Sequence, residues 1–336
     1  MCLLIYTGEV NTMAKAVRYF KPTQSEFQKL FSTLCGSRSD WQVWSDFITM
    51  SATAISNTFN REGQTHDERE QQYMELARAY KKDELDILTQ LLSIVVLALE
   101  DDPRQDFLGE VFQGLGLNSH WKGQFFTPYH MCEFMAEITL GGAEAEIERK
   151  GWIGINDPAC GAGALLIAAR NVMVKRGLPR TGALFAAQDI DRIAALMCYI
   201  QLALLGCAGY VIIGDSLLHP PTGHPLCPDP NPELDVWYLP MFYEETWHYR
   251  GMWHSLDAVL RSERHHAVPK ELPQPRQAVV MPTQPIPIQP PSRRSVRLPR
   301  VSSRCSDRAG PLNHHHFIKA IGGMQIENQS QHGAPS

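Results

Sequence analysis

The stretch GWIGINDPACGAG, residues 151–163, decides the fold of this chain. An apolar run leads into an Asp-Pro pair and a turn of small residues, Gly161-Ala162-Gly163, and a helical pattern begins at Ala164. This pattern predicts a strand that ends in a glycine turn and opens a helix, where a ligand can approach the backbone. Such turns also occur for packing reasons alone, so the stretch by itself leaves both interpretations open.

A regular alternation of strands and helices follows this stretch. The predicted strands cover residues 152–156, 184–188 and 209–213, and the predicted helices cover residues 164–176 and 193–205. Each strand ends in an acid: Asp157, then Asp189 with Asp191, then Asp215. Because the carboxyl ends of parallel strands share one edge of a sheet, these acids are expected to line one ligand crevice. A single acid at such a place is usually a helix cap.

The residues before the glycine turn predict helices. Apolar residues recur at helical spacing through residues 13–100, and their aromatic side chains are expected in the core rather than stacked on a ligand. A helix is predicted over residues 106–115. The motif GQFFTP follows at residues 123–128, with Thr127 as the expected N-cap and Pro128 as the first residue of a helix that extends to Leu140.

The pattern becomes irregular after Asp215. Residues 234–240 predict a fourth strand and residues 244–261 a helix. Residues 263–336 are rich in proline and arginine and predict a disordered tail. The expected organisation is therefore a helical region over residues 1–103, an α/β domain over residues 104–262 and this tail.

Composition limits the possible function classes. The net charge is −5, but residues 261–311 carry ten Lys and Arg against three Asp and Glu, which leaves −12 on residues 1–260. Any contact of this acidic body with nucleic acid must therefore be local. The eight cysteines form no CxxC pair, which argues against a zinc site and a disulfide framework. No apolar run reaches the roughly 20 residues of a membrane span, so we expect a cytoplasmic protein without a metal.

Four motifs occur in the order GQFFTP, DPACGAG, QDID and GDSLL. With them the chain resembles the adenine-specific DNA methyltransferases of the gamma motif order, especially the modification subunits of type I restriction-modification systems. The resemblance covers about residues 104–218, a third of the chain. It implies a Rossmann-like, S-adenosylmethionine-dependent methyltransferase sheet. It also implies double-stranded DNA as substrate and specificity or other restriction-modification subunits as partners.

The resemblance also implies the cofactor contacts of S-adenosyl-L-methionine. The first motif packs on the cofactor, and the glycine motif surrounds its methionine part. Asp189 matches the acid that holds the ribose hydroxyls, and Asp215 matches the acid that accepts from the adenine amine. Carboxylates suit both roles because they only accept hydrogen bonds. The cofactor-binding residues implied in this way are Phe126, Thr127, Pro128, Asp157, Ala159, Gly161, Gly163, Asp189 and Asp215.

The chain departs from the family at its catalytic motif, Asn/Asp-Pro-Pro-aromatic. In the family the Asn and a carbonyl accept the target amine's hydrogens while the aromatic residue stacks on a flipped base. Residues 219–222, HPPT, lack the amide and the aromatic ring. The run at 234–243, LDVWYLPMFY, fits better and predicts Pro240, Phe242 and Tyr243 as the catalytic residues, although Leu239 stands where Asn is expected.

The family's later strands and its target-recognition region have no visible counterpart in the sequence. We expect a truncated or frame-shifted member, a minimal variant, or one that takes these parts from a partner. The leading functional prediction is an enzyme that methylates the N6 amino group of adenine in DNA. The alternatives are a catalytically silent relative that binds cofactor and acts through partner subunits or in anti-restriction, and a methyltransferase for RNA or protein.

Overall fold

A computed structural model describes residues 21–60, 64–117 and 126–266. Predictions that concern residues 13–20, the Gly123–Phe125 part of the first motif and the tail beyond His266 lie outside these residues. The helices before the sheet are α1 (Pro22–Leu34), α2 (Asp40–Phe59), α3 (Gln64–Ala77), α4 (Lys82–Asp101), α5 (Phe107–Gly114), α6 (Tyr129–Thr139) and α7 (Ala143–Lys150).

Aromatic side chains fill the core of the helical region. The ring of Phe27 lies 5.6 to 6.2 Å from the rings of Phe31, Trp44, Phe47 and Phe107, and all five side chains are buried. The Phe27–Phe31 pair is stacked and the other three are edge-to-face, and aromatic pairs in such geometries stabilise by more than their buried area alone. The prediction that these aromatic residues form core rather than ligand stackers is confirmed.

The second half of the described chain is built on a four-stranded sheet in the order β1-β2-β3-β6, in which β6 covers Asp235–Tyr238. Its parallel strands are β1 (Ile153–Asp157), β2 (Ala183–Asp189) and β3 (Gly209–Ile213), joined by α8 (Ala164–Lys175) and α9 (Arg192–Leu204). The predicted α/β fold is thus confirmed, with strand and helix bounds within one or two residues of the expected ones. The short strands β4 (Gly223–His224) and β5 (Cys227–Pro228) form a separate hairpin.

The helical region and the sheet share one hydrophobic core. Helix α9 packs against α2 on one side and against β2 and β3 on the other, and its residues from Ile193 to Leu204 are all buried. One cluster of buried side chains runs from Phe27 of α1 to Trp237 of β6. Because α9 is apolar on all faces, it cannot be a surface helix and must lie between two layers.

Strand β6 (Asp235–Tyr238) runs antiparallel to β3, with Asp235 opposite Ile213 and Tyr238 opposite Tyr210. Its first residue therefore lies at the carboxyl end of β3, and the chain leaves it at the amino end. Arg69 of α3 fixes this strand: its guanidinium donates to Asp235 Oδ1 at 2.9 Å and lies 3.6 Å from the ring centre of Trp237.

Helix α10 (Glu245–His266) covers part of the opposite face of the sheet. The buried ring of Trp247 joins a second apolar cluster with Leu184, Ala208, Leu226 and Met241. Both faces of a mostly parallel sheet are normally covered in this way. Within the described ranges, none of the helices has the length and apolar character needed to cross a bilayer.

Candidate functional site

The glycine turn between β1 and α8 is held close to its neighbours. Gly161 and Gly163 have φ values of +53° and +96°, which favour glycine. A Cβ on Gly161 would lie 3.0 Å from the Phe126 ring, and one on Gly163 would lie 2.8 Å from Cys198 Sγ of α9. Both glycines therefore have a packing reason as well as a conformational one. Packing alone would explain their presence, so a ligand role depends on the groups around them.

Asp189, at the end of β2, connects the second strand to this turn. Its Oδ2 accepts the backbone N–H of Gly161 at 2.8 Å, and its Oδ1 accepts the N–H of Asp191 at 2.8 Å. A carboxylate offers about four acceptor positions, so both oxygens can still accept from a ligand. This carboxylate is thus positioned by the backbone of two different segments, which is a preorganised arrangement.

The neighbouring acids Asp157 and Asp191 bond to backbone groups of their own segments. Asp157 Oδ1 accepts from Ala159 N–H at 3.1 Å, and Asp191 Oδ1 accepts from Ala194 N–H at 2.8 Å as the N-cap of α9. Burial raises the pKa of Asp157, and the charge of Asp189 adds to that shift. Asp191 is a helix cap, as a single strand-end acid often is, whereas Asp157 borders the turn itself.

Asp215 brings the end of the third strand to the same edge. The backbone N–H of Gly214 donates to Asp189 carbonyl O at 3.0 Å, so the two segments lie side by side. Asp215 Oδ1 accepts from the N–H groups of Leu218 and Leu217, and these hydrogen bonds lower the pKa of the carboxyl group. Its Oδ2 takes no hydrogen bond from any residue that the structure describes, which leaves an acceptor for a ligand.

The described end of the first motif packs on the turn. Phe126 lies against Gly161, and its ring is 5.7 Å from that of Phe112. Thr127 and Pro128 are exposed beside it. The predicted capping by Thr127 is wrong, because α6 begins at Tyr129 with Pro128 as its N-cap and no side-chain cap bond. The Thr127 side chain therefore has no structural role as a cap.

A buried hydrogen-bond network beneath the turn was not predicted from sequence. Gln201 of α9 donates to Asp106 Oδ1 at 2.8 Å and to Ala162 carbonyl O at 2.9 Å, and its Oε1 accepts from Leu108 N–H. It therefore ties the turn to α5 and to Asp106, the N-cap of that helix. Because burial of Gln201 depends on the packing of α9 between two layers, local pattern does not distinguish it from a surface glutamine.

The buried carboxyl group of Asp106 should make folding pH-dependent. Burial raises the pKa of Asp106 from 3.8 to about 6, against the lowering effect of its hydrogen bonds. The resulting stabilisation is present below about pH 4 and is lost as pH rises through 6, because the unfolded chain releases this proton first. In the parent, this carboxyl group should lower the free energy of unfolding by roughly 3 kcal/mol between pH 4 and pH 7. In Asp106→Asn this contribution should be absent.

Urea unfolding of the parent and of Asp106→Asn at both pH values measures this difference. The exposed acid Glu148 of α7 supplies the matched control, since Glu148→Gln makes the same kind of change at a position that is not buried. Equal pH dependence in the parent and in Asp106→Asn would contradict the assignment of the shift to this carboxyl group.

Apolar side chains that follow the strand-end acids are unusually exposed. Ile190 is 67% exposed next to Asp189, and Leu217 and Leu218 are 91% and 73% exposed after Asp215. Large apolar groups in contact with water beside a polar crevice can cover a ring system of a ligand. Sequence reasoning missed them, although an apolar residue directly after a strand-end acid is a signal that can be searched for.

The predicted catalytic residues are not brought to this edge. Because β6 is antiparallel, Leu239 N–H donates to Gly209 carbonyl O at the amino end of β3. The turn Pro240–Tyr243 therefore begins about 13 Å along the strand direction from the acids. Leu239 itself is fully buried. The structure thus brings Phe126, Asp157, Ala159, Gly161, Gly163, Asp189 and Asp215 to one edge and leaves Pro240, Phe242 and Tyr243 apart from them.

Comparison with known proteins supports a methyltransferase-type domain in this part of the chain. Residues 105–247 match the family model N-6 DNA Methylase. No curated protein matches the chain. The methyltransferase resemblance is confirmed to this extent, while the likeness to type I modification subunits stays a prediction.

One solved structure with some similarity is described as a class I S-adenosylmethionine-dependent methyltransferase from Listeria monocytogenes. It is 17% identical over 58% of this chain, with a TM-score of 0.30. The matched part spans about half of that chain, 54%. A likeness at this level carries no argument about function. Among the described residues, no group of three or more His, Cys, Asp or Glu side chains could hold a metal ion.

Proposed function

We propose that the chain binds S-adenosylmethionine at the glycine turn and methylates the N6 amino group of adenine in DNA. The observation that carries the proposal is the Asp189 carboxylate, which is bonded to Gly161 of the turn and lies beside Asp215 at one sheet edge. The family match over residues 105–247 supports the reaction type. Double-stranded DNA is the proposed substrate, with a specificity subunit or another restriction-modification subunit as partner.

The residues at this edge suit the chemical groups of S-adenosylmethionine. Asp189 keeps acceptor positions for the two ribose hydroxyls, and Asp215 Oδ2 can accept from the adenine amine. Ile190 and Leu217 offer apolar cover to the flat adenine ring. The first turn of α8 has no side-chain cap bond, so its N–H groups suit the cofactor's carboxylate, as helix N-termini commonly do. The bound cofactor would supply an electrophilic methyl group.

Phe126 and Thr127 have a positioning role in this proposal. The Phe126 ring lies against Gly161 and gives that side of the turn an apolar surface. In this proposal the methionine part of the cofactor contacts this surface, and water is excluded from it. The exposed Thr127 hydroxyl stands next to it as a hydrogen-bonding group. Asp157 borders the turn, and its negative charge complements the cofactor's ammonium group.

A catalytically silent relative is the second candidate function, and one observation favours it. The residues that match the family's catalytic motif best, Pro240, Phe242 and Tyr243, follow β6 at the edge opposite to the acids. Transfer to adenine requires groups that accept the hydrogens of the target amine beside the methyl donor. In an active enzyme these groups would come from a partner subunit, and in a silent relative they would be missing.

Two measurements on the full chain test these proposals. Isothermal calorimetry with S-adenosylmethionine should detect binding with one site per chain. Incubation with labelled cofactor and unmethylated plasmid DNA, with and without candidate specificity subunits, should place label in N6-methyladenine. Absence of cofactor binding by the parent chain would refute both candidate functions. Binding without label in DNA under any condition would refute the enzyme and favour the silent relative.

A further inference from the structure

A cavity of about 290 Å³ lies at the sheet edge opposite to the strand-end acids. It is formed where the end of α4 meets the end of α9 and the segment after β6. Its apolar wall includes Val96, Leu99, Leu204 and Met241. This volume is close to the lower limit of small-molecule sites, which are about 300 to 1,000 Å³ and mostly apolar. The cavity is separate from the proposed cofactor site.

Two guanidinium groups give this apolar cavity a positive charge. Arg170 of α8 and Arg180, before β2, both line it, together with the single carboxylate of Glu100. The charge of the lining is thus +1. Both guanidiniums lie near the thiol of Cys207: burial raises the pKa of that thiol to about 12, and the charges of Arg170 and Arg180 act against the shift.

The described residues leave most donors of these guanidiniums unused. Arg170 donates to Asn171 Oδ1 at 2.8 Å, and Arg180 donates to Gly206 carbonyl O at 3.5 Å. Neither forms an ion pair with a carboxylate of residues 21–60, 64–117 or 126–266. Each guanidinium has five N–H donors in a planar fork that matches a carboxylate. Two such forks beside an apolar cavity are complementary to an anionic head on an apolar body.

We infer that this cavity is a second binding site, which takes a small organic carboxylate with an apolar body. The body fills the space against Leu99, Leu204 and Met241, and the head pairs with Arg170 and Arg180. The apolar wall disfavours inorganic anions, because they cannot use the buried surface. The charge disfavours neutral molecules of the same shape, because they leave the guanidinium donors unpaired.

Calorimetry with the full chain and octanoate as the probe tests this inference. We expect octanoate to bind at least tenfold more tightly than octanol, which has the same chain and no charge. The double variant Arg170→Gln/Arg180→Gln should reduce octanoate affinity to that of octanol. The matched control Arg149→Gln/Lys150→Gln removes two exposed cations of α7 that do not line the cavity, and it should leave affinity unchanged.

A second variant tests the place of binding. Ala203, 8% exposed at the end of α9, lines the cavity, and Ala203→Leu should narrow it and weaken binding of both probes. The exposed apolar residue Phe134 of α6 provides the control for adsorption elsewhere, and Phe134→Ser should have no effect. No octanoate binding by the parent would overturn the inference. So would octanol affinity equal to octanoate affinity in the parent, or octanoate affinity that the arginine variant leaves unchanged.

Discussion

Gly163→Ala is expected to lower the free energy of unfolding by about 3 kcal/mol. The new Cβ would lie 2.8 Å from Cys198 Sγ and 3.3 Å from Cys198 Cα, so α8 or α9 must move. Overpacking of a well-filled core typically costs 1–3 kcal/mol. The φ of +96° adds about 1–2 kcal/mol for any residue with a Cβ. Urea unfolding followed by circular dichroism measures the change.

The effect of the contact can be separated from the effect of the backbone. Gly177, at the other end of α8, has φ of +69° and open space around its Cβ position, so Gly177→Ala should cost only about 1 kcal/mol. In a double-mutant cycle, Cys198→Ala should recover part of the loss in Gly163→Ala, because it removes the sulfur. An equal cost for both glycine variants would show that the turn does not pack on α9 as described.

Asp189→Asn is expected to weaken S-adenosylmethionine binding at least 100-fold, if the proposed function holds. An amide keeps one acceptor where the carboxylate offers two oxygens, so either Gly161 N–H or Asp191 N–H loses its partner. It also loses the charge that strengthens hydrogen bonds to the ribose hydroxyls. Hydrogen bonds to a charged group contribute about 1.5–3 kcal/mol each, and 100-fold corresponds to about 2.7 kcal/mol.

Asp191→Asn is the matched control for this prediction. Asp191 lies two residues away and caps α9, and an asparagine can serve as a cap equally well. We therefore expect parent-like affinity and thermal stability. Calorimetry on both variants, together with melting temperatures, distinguishes lost ligand contacts from a collapsed turn. Parent-like binding by Asp189→Asn, or an equal loss in Asp191→Asn, would contradict the role assigned to Asp189.

Local pattern predicted the elements of the sheet well. The strands ending at Asp157, Asp189 and near Asp215, and the helices between them, follow from short apolar runs, glycine turns and helical spacing, all of which are properties of neighbouring residues. The direction of β6 does not follow from such properties. The side-chain pattern of a four-residue strand is compatible with both parallel and antiparallel pairing. The pairing of β6 with β3 depends on contacts such as that of Arg69 with Asp235, which are 166 positions apart.

The same distinction applies to the candidate site. The acids could be placed at one edge in advance, because parallel strands bring their carboxyl ends together. The role of Gln201, which supports the turn, could not be predicted from the sequence. Its side chain reaches Asp106 and Ala162 only because α9 is buried between two layers. The prediction of the catalytic residues relied on their order along the chain. That order does not determine at which edge of the sheet the last strand ends.

The glycine turn at residues 157–163 shows both contributions. By itself the sequence determined that a strand, a turn and a helix occur there and that acids follow the next two strands, because these features depend on residues close in the chain. Only the tertiary structure decided why the glycines are needed, with Phe126 and Cys198 against them, and that Asp189 holds the turn. Those contacts join residues from different layers, and their geometry exists only once the layers have packed.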